Sequence, residues 1–167
     1  METVISALIV VALIVLTIAG LSQASISAQA TVAQSSGAMQ ERVSERTRTN
    51  IMPLAAQASP LGFPATAVSI TLKNTGSVKL SDFSKWDVIL QSSGGTVKWY
   101  PGLDLWKDSI YQSAATQTRE VFEPGIFNPG EEMIATLNVS SAIAISTTNL
   151  AVIATPNGII ATTVFTH

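Results

Sequence analysis

Residues 4–34 read VISALIVVALIVLTIAGLSQASISAQATVAQ, and none of them is charged. The first part, Val4 to Leu21, has the length and composition of a bilayer span, roughly 20 residues at about 1.5 Å of rise each. The helical pattern continues past that length. From Ser22 to Gln40 the chain is mostly Ala, Ser, Gln, Thr, Val and Ile, with Gly37 as its glycine. ERVSERTR (residues 41–48) then places Arg42–Glu45 and Glu45–Arg48 at i,i+3, neighbours on one helical face. Pro53 closes the pattern, because proline cannot continue a helix interior. A helix over residues 2–50 is about 70 Å long, more than twice the thickness of a hydrocarbon core of roughly 30 Å.

Small residues recur along it at four-residue spacing: Gly20, Ala24 and Ala28, then Ala33 and Gly37. Such spacing lets helix backbones approach closely. An uncharged stalk standing alone in water is poorly solvated and only marginally helical. Packed among copies of itself, the same stretch is buried and satisfied, so the helix calls for partners. Only Met1, Glu2 and Thr3 precede the apolar run, and the first basic residue is Arg42. The positive charge that usually orients a span is therefore missing ahead of it. The expectation is a basic leader that a leader peptidase removes just before residue 1.

Composition excludes much chemistry. The chain has 167 residues, 47% hydrophobic and only 12% charged, against roughly 25% charged in an average soluble domain. A net charge of −2 leaves no electrostatic footprint for nucleic acid. There is no cysteine, which removes disulfides and thiolate metal sites. The single histidine is His167, so no internal Ser or Cys triad can be built on it. Phosphate-loop, HExxH and Ser-x-x-Lys patterns are all missing from the sequence. The expectation is a non-enzyme with no catalytic residues, no cofactor and no metal.

After MPLAAQASPLGFP (52–64) the pattern turns from helical to alternating. AVSITLKN (67–74) puts Val68, Ile70 and Leu72 on one face, and TGS follows as a turn. WDVILQ runs to the turn SSGG, and TVKWY returns from it. REVFEPG and EEMIATLNV flank a loop holding Asn128-Pro129-Gly130. NLAVIAT reaches PNG, and IIATTVFT completes a hairpin. About seven short strands after one long helix give an α+β chain: an N-terminal hydrophobic α-helix, then an immunoglobulin-like antiparallel β-sandwich. The expected divisions are 1–52 for the helix, 53–65 for a connector and 66–167 for the sandwich. A fragment 54–167 is expected to fold as a monomer.

The helix of apolar and small residues followed by ITLKNTGSVKLSDFSKWDVIL (70–90) resembles the archaellins, the archaeal-type flagellins of the type IV pilin-like superfamily. FNPGEEMIATLNV (127–139) is similar to the turn and strand of those domains. Pilins usually carry Glu at the fifth mature position; Ile5 stands here and favours the archaellin branch. The resemblance implies an extracellular helical filament, with bundled helices in its core and β-domains as its sheath. It implies three partners: copies of the chain itself, the membrane before assembly, and the archaellum assembly machinery. An adhesive pilin, an accessory protein anchoring the filament to a surface layer, and a monomeric membrane-anchored binding protein are the alternatives.

Remaining candidate sites are few. Asn138-Val139-Ser140 is an N-glycosylation sequon, and archaellins are frequently glycosylated. Trp86, Trp99 and Trp106 read as core or sheet-face packing rather than an aromatic ligand patch. Asp104 with Asp108, and Glu131 with Glu132, lack the spacing of a calcium loop and read as solvated surface.

Overall fold

The computed structural model describes residues 2–59, 64–102, 110–120 and 122–167. Contacts divide the chain into two compact units, Met1–Val43 and Ser44–His167. The first unit is one α-helix and the second holds two antiparallel sheets, so the class is α+β with a sandwich-like β-domain.

Helix α1 spans Glu2–Arg48. It closes where Thr49 N–H reaches back to Glu45 O at 3.0 Å and Thr49 Oγ1 donates to the same carbonyl at 2.9 Å. Arg46 and Arg48 in the last turn suit the negative end of the helix dipole. The helix therefore ends before Pro53, and the carbonyls of its last turn are taken up by Thr49 and by the turn at 75–77.

The strands are β1 (Ile51–Ser59), β2 (Ala65–Asn74), β3 (Asp87–Gln91), β4 (Val97–Pro101), β5 (Ile110–Ser113), β6 (Thr118–Arg119), β7 (Glu132–Ile143), β8 (Thr148–Ala154) and β9 (Ile160–Thr166). One sheet runs β1-β2-β7-β5-β6 and the other β4-β3-β8-β9. Every pairing is antiparallel. Apolar side chains from both sheets meet in one core. Trp86, Phe127, Ile70, Leu72, Met133 and Ile153 are its largest fully enclosed members. Each such burial contributes roughly 1.5–3 kcal/mol relative to exposure. Val68, Ile70 and Leu72 share the inward face of β2, as their alternation requires.

Two expectations need correction. Residues 53–65 are not simply a connector, because β1 occupies most of that stretch and pairs with β2 from Ile51↔Asn74 to Ser59↔Ala67. The Pro there is tolerated because β1 is an edge strand, and the register shifts between Pro53 and Ala55. REVFEPG is also not a strand: β6 ends at Arg119, and the residues described from Phe122 to Gly125 form bends and turns. Glu123 and Gly125 both take positive φ there, 52° and 87°, which breaks a ladder.

Candidate assembly surfaces

The helix carries its apolar surface in the open. Large side chains from Val4 to Leu21 are between 51% and 72% exposed, on every side of the rod. An 18-residue window reaches a mean hydropathy of 3.0, with none of it buried within the chain. Three hydroxyls along the helix are turned onto its own backbone. Thr17 Oγ1 donates to Leu13 O and Ile14 O at 3.1 and 2.8 Å, Thr31 Oγ1 to Ser27 O at 3.0 Å, and Ser35 Oγ to Val32 O at 2.9 Å. Hydroxyls bonded to the preceding turn need no water. The run from Val4 to Leu21 can therefore be buried in lipid or against protein at little polar cost.

The small-residue positions Gly20, Ala24, Ala28, Ala33 and Gly37 all lie exposed on α1. A Cβ added at Gly20 or Gly37 would meet nothing within 4 Å. Glycine inside a helix costs about 1 kcal/mol relative to alanine. Among the described residues no neighbour requires that sacrifice.

The last helical turn belongs to the β unit and is held there by a backbone clamp. Ser77 N–H donates to Arg48 O at 2.9 Å, while Thr75 N–H and Gly76 N–H both donate to Asn50 O at 3.0 Å. Asn157 Nδ2 donates to the buried Thr49 Oγ1 at 2.7 Å, and Arg46 Nη2 approaches Gly158 O at 3.4 Å. Gly76 is glycine for want of room: a Cβ there would stand 2.5 Å from Asn50 N and 2.6 Å from Arg48 O. Sequence reading took TGS as an ordinary turn. A glycine following a strand that ends in a buried Asn was the available signal, but it does not distinguish close approach from positive φ.

Asn74 ties this clamp to the 126–131 loop. Fully buried, it donates through Nδ2 to Val78 O and Phe127 O at 2.9 Å each, and its Oδ1 accepts from Gly76 N–H at 3.1 Å. Gly130 N–H donates to Asn74 O at 2.8 Å, and Asn74 N–H to Glu131 O at 3.0 Å. The two stretches KNTGS and FNPGE thus meet at the helix root.

Glu131 and Glu132 take structural roles instead of standing as solvated surface. Glu131 is buried, and its Oε2 accepts from Asn128 N–H at 2.7 Å. Glu132 pairs with Lys73 at 3.5 Å and accepts from Ala114 N–H at 2.8 Å. Among the described residues no group of three or more acidic or histidine side chains is placed to hold a metal ion. Glu120 holds its proton more tightly than usual, chiefly because burial disfavours the carboxylate; Glu131 and Glu123 add repulsion, against a favourable bond from Gly125 N–H.

Trp86 is core, with Nε1 donating to Ser81 O at 3.3 Å and its ring 5.4 Å from that of Phe83. Trp99 is 62% exposed on edge strand β4 and donates to Asp87 Oδ1 at 3.0 Å. Asn138 is exposed on β7, opposite Ala67. Asp104, Trp106 and Asp108 lie outside the described residues.

No family profile and no curated protein sequence matches the chain. Among solved structures, the fold is similar to a chain of the archaeal flagellum of Methanospirillum hungatei strain JF1, with a TM-score of 0.67 at 16% identity over 97% of this chain and 92% of that one. Two weaker likenesses, each with a TM-score of 0.49, are from Sulfolobus acidocaldarius. One is the archaellum periplasmic stator protein FlaG, at 17% identity over 70% of this chain and 99% of that one. The other is the stator complex of FlaF and FlaG, at 16% identity over 69% and 87%. At 16% identity the first likeness shows the fold alone.

Proposed function

We propose that the chain is a structural, non-catalytic subunit of an extracellular helical filament of archaellum type, polymerised through α1 and serving motility. The observation that carries this reading is the uncovered helix: apolar on all sides from Val4 to Leu21, with the Thr17 hydroxyl bonded to its own backbone and its glycines uncrowded. One surface then serves two settings. In lipid it satisfies the rule that every polar backbone group be bonded internally. In a bundle it offers dispersion contact and close approach. The membrane holds the subunit before assembly, and a leader peptidase and the archaellum assembly machinery act on it there. The fold shared with a chain of an archaeal flagellum supports archaellum type among filament types.

The test is to shear and purify surface appendages, image them by electron cryomicroscopy, and identify their major protein by mass spectrometry. Helical filaments composed mainly of this chain are expected. Recovery of the chain as a monomer in the membrane fraction, with appendages made of another protein, would refute the reading.

A further inference from the structure

The outer faces of the two sheets differ in kind. On the five-stranded sheet the outward positions of β2 and β7 are mostly polar: Ser69 hydrogen-bonds Thr136 across the strands at 3.2 Å and Lys73 pairs with Glu132, with Ile134, and Met52 on neighbouring β1, as apolar exceptions. This is the usual apolar-in, polar-out alternation of a sheet with one wet face. The four-stranded sheet breaks it. Its register aligns Trp99 with Ile89, Ile89 with Val152, Leu150 with Val164 and Ala154 with Ile160, all on the face turned away from the core. Val97, Trp99, Ile160 and Val164 are 59–64% exposed, and Ile89 is 39% exposed. The acid on this face, Asp87, is engaged by the Trp99 indole N–H. Gln91, Thr148, Thr162 and Thr166 are the uncharged polar residues of this face, and a sheet mainly apolar on both faces is one built to be covered on both.

We propose that this face is covered by the β-domain of a second copy of the chain, which makes the sheath of the filament adhesive in its own right. The inference rests on the filament reading above. The size of the face selects the occupant. Four strands about 4.8 Å apart, each about five residues long at about 3.3 Å, give a footprint of roughly 300–400 Å². A standard stable interface needs about 800 Å² from each partner. The face is too small to hold two free molecules together, so an independent protein would not stay bound to it. It suffices where other contacts already bring the occupant near, because linkage raises the effective concentration to about the millimolar range. A neighbour held through α1 meets that condition. In a polymer generated by one repeated screw operation the contact is heterologous, so the face meets a different surface of the next copy.

The chain has no cysteine, which makes single-cysteine probing clean. Val164→Cys and Thr162→Cys on the face, and Ala115→Cys in the exposed turn after β5, are introduced one at a time into full-length chain in cells lacking the natural gene. Purified filaments and dissociated subunits are then reacted with a maleimide, and filaments with a short thiol-to-amine cross-linker. Both face variants are expected to label at least about tenfold more slowly in filaments than in dissociated subunits, because a covered interface excludes solvent. Ala115→Cys is expected to react equally in both, and cross-links from the face should join this chain only to itself. Filaments in which the face variants react as fast as Ala115→Cys would overturn the inference and leave the filament function standing. Cross-links to a different protein would overturn the choice of occupant. If no filament contains the natural chain, the filament reading fails, and this inference with it.

Discussion

Replacing Gly76 by alanine puts a single methyl group into the tightest point of the helix root. The added carbon would stand 2.5 Å from Asn50 N and 2.6 Å from Arg48 O, and both atoms are backbone, with no flexible end to swing away. Relief requires the 75–77 turn to lift from residues 48–50. That movement loosens three hydrogen bonds, from Thr75 and Gly76 to Asn50 O and from Ser77 to Arg48 O. At about 1 kcal/mol net for each bond the loss approaches 3 kcal/mol, at the upper end of the usual 1–3 kcal/mol for overpacking. The two figures describe one distortion and are not summed. A destabilisation of about 2–3 kcal/mol, or roughly 10 °C in Tm, is expected for a domain of this size. Urea unfolding of residues 44–167 followed by circular dichroism measures it. Gly94→Ala is the control, since its methyl would meet nothing within 4 Å, and a change below about 0.5 kcal/mol is expected. If Gly76→Ala unfolds within about 0.5 kcal/mol of the parent, the clamp is not under the crowding described, and the argument fails.

Ala24→Leu is expected to cost about 1–3 kcal/mol per subunit wherever α1 meets a neighbour closely, lowering filament number by electron microscopy, while the exposed Ser44→Leu does less harm. A fragment beginning at residue 44 is expected to unfold at higher urea concentration than one beginning at 54, because the shorter one lacks the buried Thr49 and Ile51 and the start of β1; equal midpoints would show that the root adds nothing. Glu120 has a raised pKa, so the folded state binds its proton more tightly than the unfolded state, and stability falls as pH rises from about 4.5 through the folded value. Glu120→Gln, which stays neutral, is therefore expected to raise the urea midpoint at neutral pH and leave it little changed at about pH 4. A gain of the same size at both pH values would sink that account.

The helix was legible because a long uncharged run of apolar and small residues has few other physical meanings. Strands β2, β3, β4, β7, β8 and β9 were legible in outline for a similar reason, since alternation marks one buried face and Gly, Pro and Asn mark the turns. Strand β1 was hidden. IMPLAAQAS has short side chains, a proline and a shifted register, so its inward positions do not alternate cleanly. The Phe122–Gly125 turns were misread because Val121 and Phe122 suggest a strand, whereas the positive φ of Glu123 decides the path. Of the assembly surfaces, the rod could be read from one dimension. The clamp joins residues 48–50, 74–77 and 157–158, and the outer apolar face needs four strands in register. Neither is a local property of the chain.

The bonds of Asn74 have a consequence for how the β-domain opens. Its side chain and backbone join the 75–77 turn, Val78, the Phe127 carbonyl, Gly130 and Glu131 into one lattice, and the turn in turn holds the carbonyls of Arg48 and Asn50. Leu80 and Phe127 exchange a further pair of backbone bonds beside it. Local opening in proteins proceeds by cooperative units, not residue by residue. The amides of Asn74, Gly76, Ser77, Leu80, Phe127 and Gly130 therefore belong to one such unit and should exchange with deuterium together, at one opening free energy. The carbonyls of Arg48 and Asn50 are bonded to this unit, so protection of residues 48–50 is expected to rise and fall with that of the 126–131 loop; independent exchange of the two would refute the coupling.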